Sequence, residues 1–392
     1  MVKLLGSKIK LFIFIILILV ITIELLSLIT TKFNLLMYNE EPNYLYPSGD
    51  KWRTEIMPWG SWHKSNFRDR HRETCFDVEY ESNNLGARDN EPYDENLPKD
   101  SIILIGDSYA EGMGVQLEDT FTEVLEKRIG RKVLNFGSAA HFGPVQEEIL
   151  YRTLASKLPH NEMIYFFLPS NDFIENDRRR WLSKFNQFRH RPYFKKVDDD
   201  KYDIFYPGGK AENKILIYLK SFIFHRLQVS LIQYTYTANT LRTINALYSK
   251  YTDKYSKHTD KKNMVIRKPN IGHSYFFDDH EAINGALYFS KKLLSEASGL
   301  KRRIIVIVPE VACVNSICRS KDLEMIYNGK DYKNLKWYLD LKRISTETDS
   351  KLFDLADHFT KEEWSKMALK CDGHPNPYGI RVIVELINRK FF

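Results

Sequence analysis

The stretch SIILIGDSYAEG, residues 101–112, runs uncharged and apolar for five residues and then stops on glycine, aspartate and serine. A short run that is apolar on both faces reads as a buried parallel strand. Its tip delivers one hydroxyl, that of Ser108. A serine in that place can cap a helix, hold a phosphate or act as a nucleophile, and the rest of the chain must separate the three roles.

Four further runs share the same character: KVLNFG at 132–137, EMIYFFLP at 162–169, RRIIVIVPE at 302–310 and KLFDLAD at 351–357. Between the first two strands lies EDTFTEVLEKRIG, in which Phe121, Val124, Leu125 and Ile129 mark one helical face. Acids open this helix, and Lys127, Arg128 and Gly130 close it. PVQEEILYRTLASKL, opening on proline, reads as a second helix. Strand, helix and strand repeated in this way argue for an α/β fold with a parallel sheet and right-handed crossovers. In such sheets ligands sit beyond the carboxyl ends of the strands, where Ser108 stands. Residues 173–300 interrupt the alternation with NDRRRW, KKVDDDK and a tyrosine-rich run, and read as an insertion, helical in its second half, whose charges are solvated surface.

A serine hydroxyl is a poor nucleophile unless a neighbouring base takes its proton. A base stands near the C-terminus, in KCDGHPNPYGI, where Asp372 and His374 lie in loop-forming sequence before a final helix. Histidine titrates near neutral pH, and a carboxylate on its other ring nitrogen fixes the tautomer. Acyl transfer also needs donors for the oxygen that becomes negative. LPSNDF places Asn171 after the third strand, and NFGSAAHFGPVQ offers backbone N–H groups on small residues after the second.

Serine, small-residue loop, asparagine, then aspartate and histidine, in this order at strand ends, resemble the SGNH hydrolases, the GDSL family of serine esterases and acyltransferases. The resemblance covers about 101–392 without the insertion, and ESNNLGARD at 81–89 is similar to a lead-in of larger members. It implies a flavodoxin-like three-layer α/β/α fold, no metal and no cofactor. It further implies Ser108 as nucleophile, His374 as base and Asp372 as its partner. The oxyanion donors would be the N–H groups of Ser108 and Ala140 and the amide of Asn171, with Asn135 as the asparagine that opens the glycine block. The chain departs from the pattern in three places. GDSY replaces GDSL, Ala140 stands where a glycine is usual, and one residue instead of two separates Asp372 from His374.

Ahead of this domain, Lys3, Lys8 and Lys10 precede an apolar run at 11–31, long enough for a helix to cross a bilayer. LLSLITTKFNLL after it has no A-x-A-like site, so the run reads as an uncleaved anchor more than as a signal peptide. The lysines place residues 1–10 in the cytoplasm and the rest outside, with 32–100 as an extension on the main domain. Glu24 interrupts the run, as a contact with another membrane helix, a group reaching the far interface or a protonated acid. Four cysteines outside the cytoplasm make disulfides expected. Cys313 and Cys318 can close a small loop, leaving Cys75 for Cys371, although four cysteines allow three pairings. No Cys-x-x-Cys spacing supports zinc. The 58 basic and 51 acidic residues, net +7, describe a mixed surface and not a nucleic-acid footprint.

These readings converge on a membrane-anchored SGNH-type enzyme that cleaves or transfers an ester-linked acyl group, with an acylated small molecule or glycan as substrate and lipid met through the anchor. Acetyl on a cell-envelope glycan is one candidate. The rivals are a catalytically inactive scaffold and a partner subunit of a membrane assembly.

Overall fold

The computed structural model describes residues 2–33, 35, 55–73, 75–139, 142–181, 191–198, 201–206, 235–237, 240–241, 244, 274–314, 317–370 and 373–392. The chain divides into two units: residues 1–48, 72–74 and 214–263 form the smaller, and the remainder forms the larger.

The larger unit is built on five parallel strands, β1 (Ile102–Gly106), β2 (Val133–Gly137), β3 (Glu162–Phe167), β4 (Arg302–Ile307) and β5 (Lys351–Asp354). All five coincide with the apolar runs in the sequence. Every residue of β1, β2 and β3 is buried, as strands covered on both faces must be. Burying each Ile or Leu of β1 is worth about 1.5–3 kcal/mol relative to leaving it in water. The sheet order is β5-β4-β3-β1-β2. From the other edge it reads 2-1-3-4-5, the flavodoxin-like doubly wound order, whose switch point lies between β1 and β3. The carboxyl ends of those two strands carry Ser108 and Asn171.

Helices flank the sheet. Counting from α1 (Val2–Lys32) of the smaller unit and α2 (Ser108–Glu111) at the tip of β1, α3 is Phe121–Ile129 and α4 is Pro144–Thr153. The Thr120 side chain caps α3 by accepting from Glu123 N–H, and Gly130, at φ 66°, closes it in the left-handed conformation. The longer helices that follow are α5 (His280–Glu296), α6 (Lys336–Glu347) and α7 (Pro377–Phe391). α3 packs with α7, α4 with α5, and α5 with α6. This is the expected flavodoxin-like three-layer α/β/α arrangement.

Two features of 173–300 differ from a plain insertion. α5 lies inside it yet is a core crossover helix, burying Ile283, Leu287, Phe289, Leu293 and Leu294. A hairpin, Tyr193–Asp198 with Lys201–Phe205, seats Phe194 over Gly285 so closely that a Cβ there would lie 2.3 Å from the Phe194 ring. The helix therefore carries glycine where the sequence alone suggests a break. Ahead of β1, Trp59, Trp62, Ala87 and Tyr93 join the hydrophobic core of the larger unit.

In the smaller unit, residues 8–30 of α1 form one helix long and apolar enough to cross a membrane. Glu24, within that span, accepts the N–H of Tyr236 at 2.7 Å and the N–H and hydroxyl of Thr237 at 3.0 and 2.6 Å. Its carboxylate thus has donors inside its own chain.

Cys313 and Cys318 are joined by a disulfide across the short antiparallel pair Ala312–Val314 and Ile317–Arg319. Cys75 is disulfide-bonded as well. Its expected partner, Cys371, lies outside the described residues.

Candidate active site

Strand β1 ends at Gly106, and the chain turns at once into α2. Asp107 caps this helix, its Oδ1 accepting Tyr109 N–H at 2.9 Å, so Ser108 becomes the first helical residue. The helix lasts one turn because Gly112, at φ 82°, adopts the left-handed conformation and donates to the carbonyls of Ser108 and Tyr109. Only glycine fits at position 137: a Cβ there would lie 2.1 Å from Glu111 N, so β2 can pass α2 only without a side chain. The abrupt stop in the sequence is therefore the geometry that exposes one hydroxyl at the sheet edge.

His374 reaches this hydroxyl from the far end of the chain. Its Nε2 lies 2.8 Å from Ser108 Oγ, across 266 positions of sequence. The loop that carries it is tightly closed. Leu369 N–H donates to His374 O at 2.6 Å, Gly373 N–H to Leu369 O at 3.0 Å and Asn376 N–H to Met367 O at 2.8 Å. Asn376 then caps α7, and Pro377 opens that helix. The Tyr109 ring lies against the imidazole at 4.8 Å between centroids, limiting its rotation.

Asn171 follows β3 on the short helix Pro169–Asp172, and its Nδ2 donates to Asp107 Oδ2 at 2.6 Å. An amide nitrogen has two hydrogens, so this bond fixes the side chain and leaves one N–H to give. From the sequence, Asp107 is only the middle of the GDS turn. In the structure it orients the asparagine donor as well as capping α2.

Asn135 is fully buried and does not face a substrate. Its Oδ1 accepts Gly137 N–H at 3.0 Å, and its Nδ2 donates to Glu111 O and Thr122 Oγ1, both at 3.4 Å, tying the end of β2 to α2 and α3. Ala140 and Asp372 lie outside the described residues. Ser108, His374 and Asn171 are thus brought together at one edge.

The electrostatics of this edge are acidic. Burial pushes the Asp107 carboxyl up to about 6, against the opposing pull of the Tyr109 N–H, the Asn171 amide and His374. Glu147 on α4 and Asp172 lie fully buried nearby; burial raises both well above the usual carboxylate range, with repulsion from Asp107 acting on Glu147 and from Glu147 and Asp107 on Asp172. Glu310, at the end of the fourth apolar run, is raised above the usual carboxylate range by burial, against the opposing pull of Ser170 and His374. One feature of the sequence hints at Glu310: it is a carboxylate closing the run RRIIVIVPE, just beyond the carboxyl end of β4.

No family model matches the chain, and no curated protein does. The fold is similar, at low identity, to three solved structures. One is a lipolytic protein of the G-D-S-L family from Desulfitobacterium hafniense DCB-2, at 10% identity and TM-score 0.31 over 74% of this chain and 98% of that one. The others, both from Sinorhizobium meliloti, are the carbohydrate acetylesterase Est24 and a carbohydrate acetylesterase family member, each 12% identical over 74% of this chain, with TM-scores of 0.33 and 0.28 over 100% and 98% of theirs. The fold assignment rests on the sheet order, and the chemistry of the site on the residues themselves.

Proposed function

We propose that the chain is a membrane-anchored SGNH-type serine hydrolase that cleaves or transfers an ester-linked acyl group. The observation that carries this reading is the 2.8 Å contact between Ser108 Oγ and His374 Nε2 at the switch point of a doubly wound sheet. A scaffold has no use for an imidazole on a serine hydroxyl beside a fixed asparagine amide.

In the proposed reaction Ser108 Oγ attacks the acyl carbon while His374 Nε2 takes its proton, and Asp372 orients the imidazole. The developing oxyanion is held by the N–H of Ser108, the N–H of Ala140 and the free N–H of Asn171. The carbon–oxygen bond to the leaving group then breaks, and the departing alkoxide takes the proton from His374. Water or a sugar hydroxyl, deprotonated by the same imidazole, attacks the acyl-enzyme and releases Ser108. A positioned general base contributes about 10²–10⁴ in rate, and one oxyanion donor a comparable 10²–10³.

Acetyl on a cell-envelope glycan is the proposed substrate, with residues 1–10 cytoplasmic and the catalytic unit outside. A disulfide suits an oxidising compartment. The test is acetate release from acetylated oligosaccharides and from p-nitrophenyl acetate by the full-length protein in detergent. Turnover that vanishes in Ser108→Ala supports the reading, and no turnover of any acyl ester by the folded wild type would overturn it.

A further inference from the structure

The disulfide between Cys313 and Cys318 takes no part in the reaction above, yet it lies against the loop that carries the proposed base. The two cysteines face each other across the antiparallel pair Ala312–Val314 and Ile317–Arg319, which follows β4 at the carboxyl edge of the sheet. Two strands of three residues are too short to hold their own pairing, since even a longer isolated hairpin is marginal in water. The covalent bond, between cysteines five positions apart, restricts the alternatives open to this segment.

Cys318 is buried, and its Sγ lies 3.8 Å from the carbonyl oxygen of Leu369. A disulfide sulfur carries no hydrogen, so this is a packing contact. The helix Lys361–Met367, which leads into Leu369, packs on the same strand, Ile317–Arg319. Leu369 in turn clamps the loop of the base with both of its backbone groups: its N–H donates to His374 O at 2.6 Å, and its carbonyl accepts Gly373 N–H at 3.0 Å. Gly373 stands at φ 88°, a left-handed conformation that glycine adopts without strain, and its carbonyl accepts the Tyr109 hydroxyl at 3.5 Å. A short chain of contacts therefore runs from the disulfide through Leu369 to the imidazole that lies 2.8 Å from Ser108 Oγ.

We infer that the Cys313–Cys318 disulfide is a positioning element for His374, holding Leu369 and through it the imidazole against Ser108. The inference rests on the proposed acyl-transfer reading. A reacting constellation has to be held within about 0.5 Å by rigid support. Leu369 gives that support only while the surface it packs on is fixed, and the disulfide fixes that surface. The bond is open to reduction: Cys313 is half-buried, so the thiolate of a dithiol can attack its sulfur and release Cys318 as a thiolate. The second thiol of the reagent then displaces Cys313. Two electrons and two protons pass to the protein, leaving two cysteine thiols and the reagent as its own disulfide.

The experiment compares wild type with the double variant Cys313→Ser, Cys318→Ser, reading p-nitrophenyl acetate turnover and the rate of fluorophosphonate labelling of Ser108, with a thermal melt beside them. Misplacing a reacting group by about 1 Å costs up to about 10²-fold, so the double variant, assayed well below its melting temperature, is expected to lose about 10- to 100-fold in kcat with KM within about twofold. Labelling should slow by a similar factor. Dithiothreitol can also open the disulfide of Cys75, so reduced wild type is alkylated with iodoacetamide and mapped by peptide mass analysis. Its loss of kcat should follow alkylation of Cys313 and Cys318. A folded double variant with wild-type kcat, or with an effect on KM alone, overturns the inference. Should the double variant fail to fold, reduced wild type decides: full kcat with Cys313 and Cys318 alkylated overturns the inference, and a loss that tracks these two cysteines supports it. A wild type that neither turns over ester nor takes the label contradicts the proposed function, and this inference with it.

Discussion

Asn171 donates its side-chain amide to Asp107 at 2.6 Å, joining the loop after the third strand to the residue that precedes Ser108. One carboxylate thus holds both the N-terminus of α2, through Tyr109 N–H, and the asparagine proposed to receive the oxyanion. The two strands that flank the switch point are locked together at the place where the chemistry is proposed.

Removing that amide separates catalysis from folding. Asn171→Ala should lower kcat/KM by about 10²–10³, the loss seen when one oxyanion donor is deleted. It also removes one partner of buried Asp107, which costs about 1–3 kcal/mol, so the melting temperature should fall by several degrees without loss of the fold. Steady-state kinetics beside a thermal melt check both numbers, and near-normal turnover removes Asn171 from the mechanism.

Asp107 also makes stability depend on pH. Its carboxyl titrates at about 6 in the folded protein against an ordinary 3.8, so the folded state binds this proton more tightly than the unfolded state. The stabilisation from this group is complete below about pH 4 and is lost as pH rises through 6; the difference of 6 − 3.8 = 2.2 units corresponds to a magnitude on the order of 3 kcal/mol. Asp107→Asn should therefore melt higher than wild type at pH 7.5 and show a flatter melting profile between pH 4 and 7. Parallel profiles for the two proteins would contradict this.

Gly137→Ala tests the close passage of β2 past α2. A Cβ 2.1 Å from Glu111 N cannot be accommodated by rotating a side chain, because the obstacle is backbone. The expected loss is at the upper end of overpacking, about 3 kcal/mol or more, measured by urea denaturation. A variant within about 0.5 kcal/mol of wild type, the range of an ordinary surface change, would show that the passage is not this tight.

In the smaller unit, Glu24→Leu removes the acceptor of Tyr236 N–H, Thr237 N–H and the Thr237 hydroxyl. Limited proteolysis in detergent should cut near Thr237 faster in this variant, and Glu24→Gln, which keeps an acceptor, should fall between the two. Equal cutting of all three proteins would contradict the contact.

The central sheet is legible in the sequence because its strands are covered on both faces: IILIG and EMIYFF are unbroken apolar runs with no competing period. Ser108, Asn171 and His374 are legible because each ends a strand or sits in loop sequence and has a chemistry that needs the others. Helix α5 is harder to see. Gly285 interrupts its pattern for a reason, the ring of Phe194, that lies about 90 positions away in the chain. The bonds of Asp107 to Asn171 and of Glu111 to Ala139 are equally hidden, since each depends on which loops the sheet order places side by side. A carboxylate one turn after Ser108 looks like any helical acid until the neighbouring strand is known.

An activated Ser108 can be detected by intact-mass analysis of the detergent-solubilised protein after treatment with a fluorophosphonate, for wild type, Ser108→Ala and His374→Ala. A single adduct is expected on wild type, none on Ser108→Ala and much slower labelling of His374→Ala. A folded wild type that takes no adduct, or an adduct that persists in Ser108→Ala, would contradict an activated Ser108 and with it the proposed chemistry.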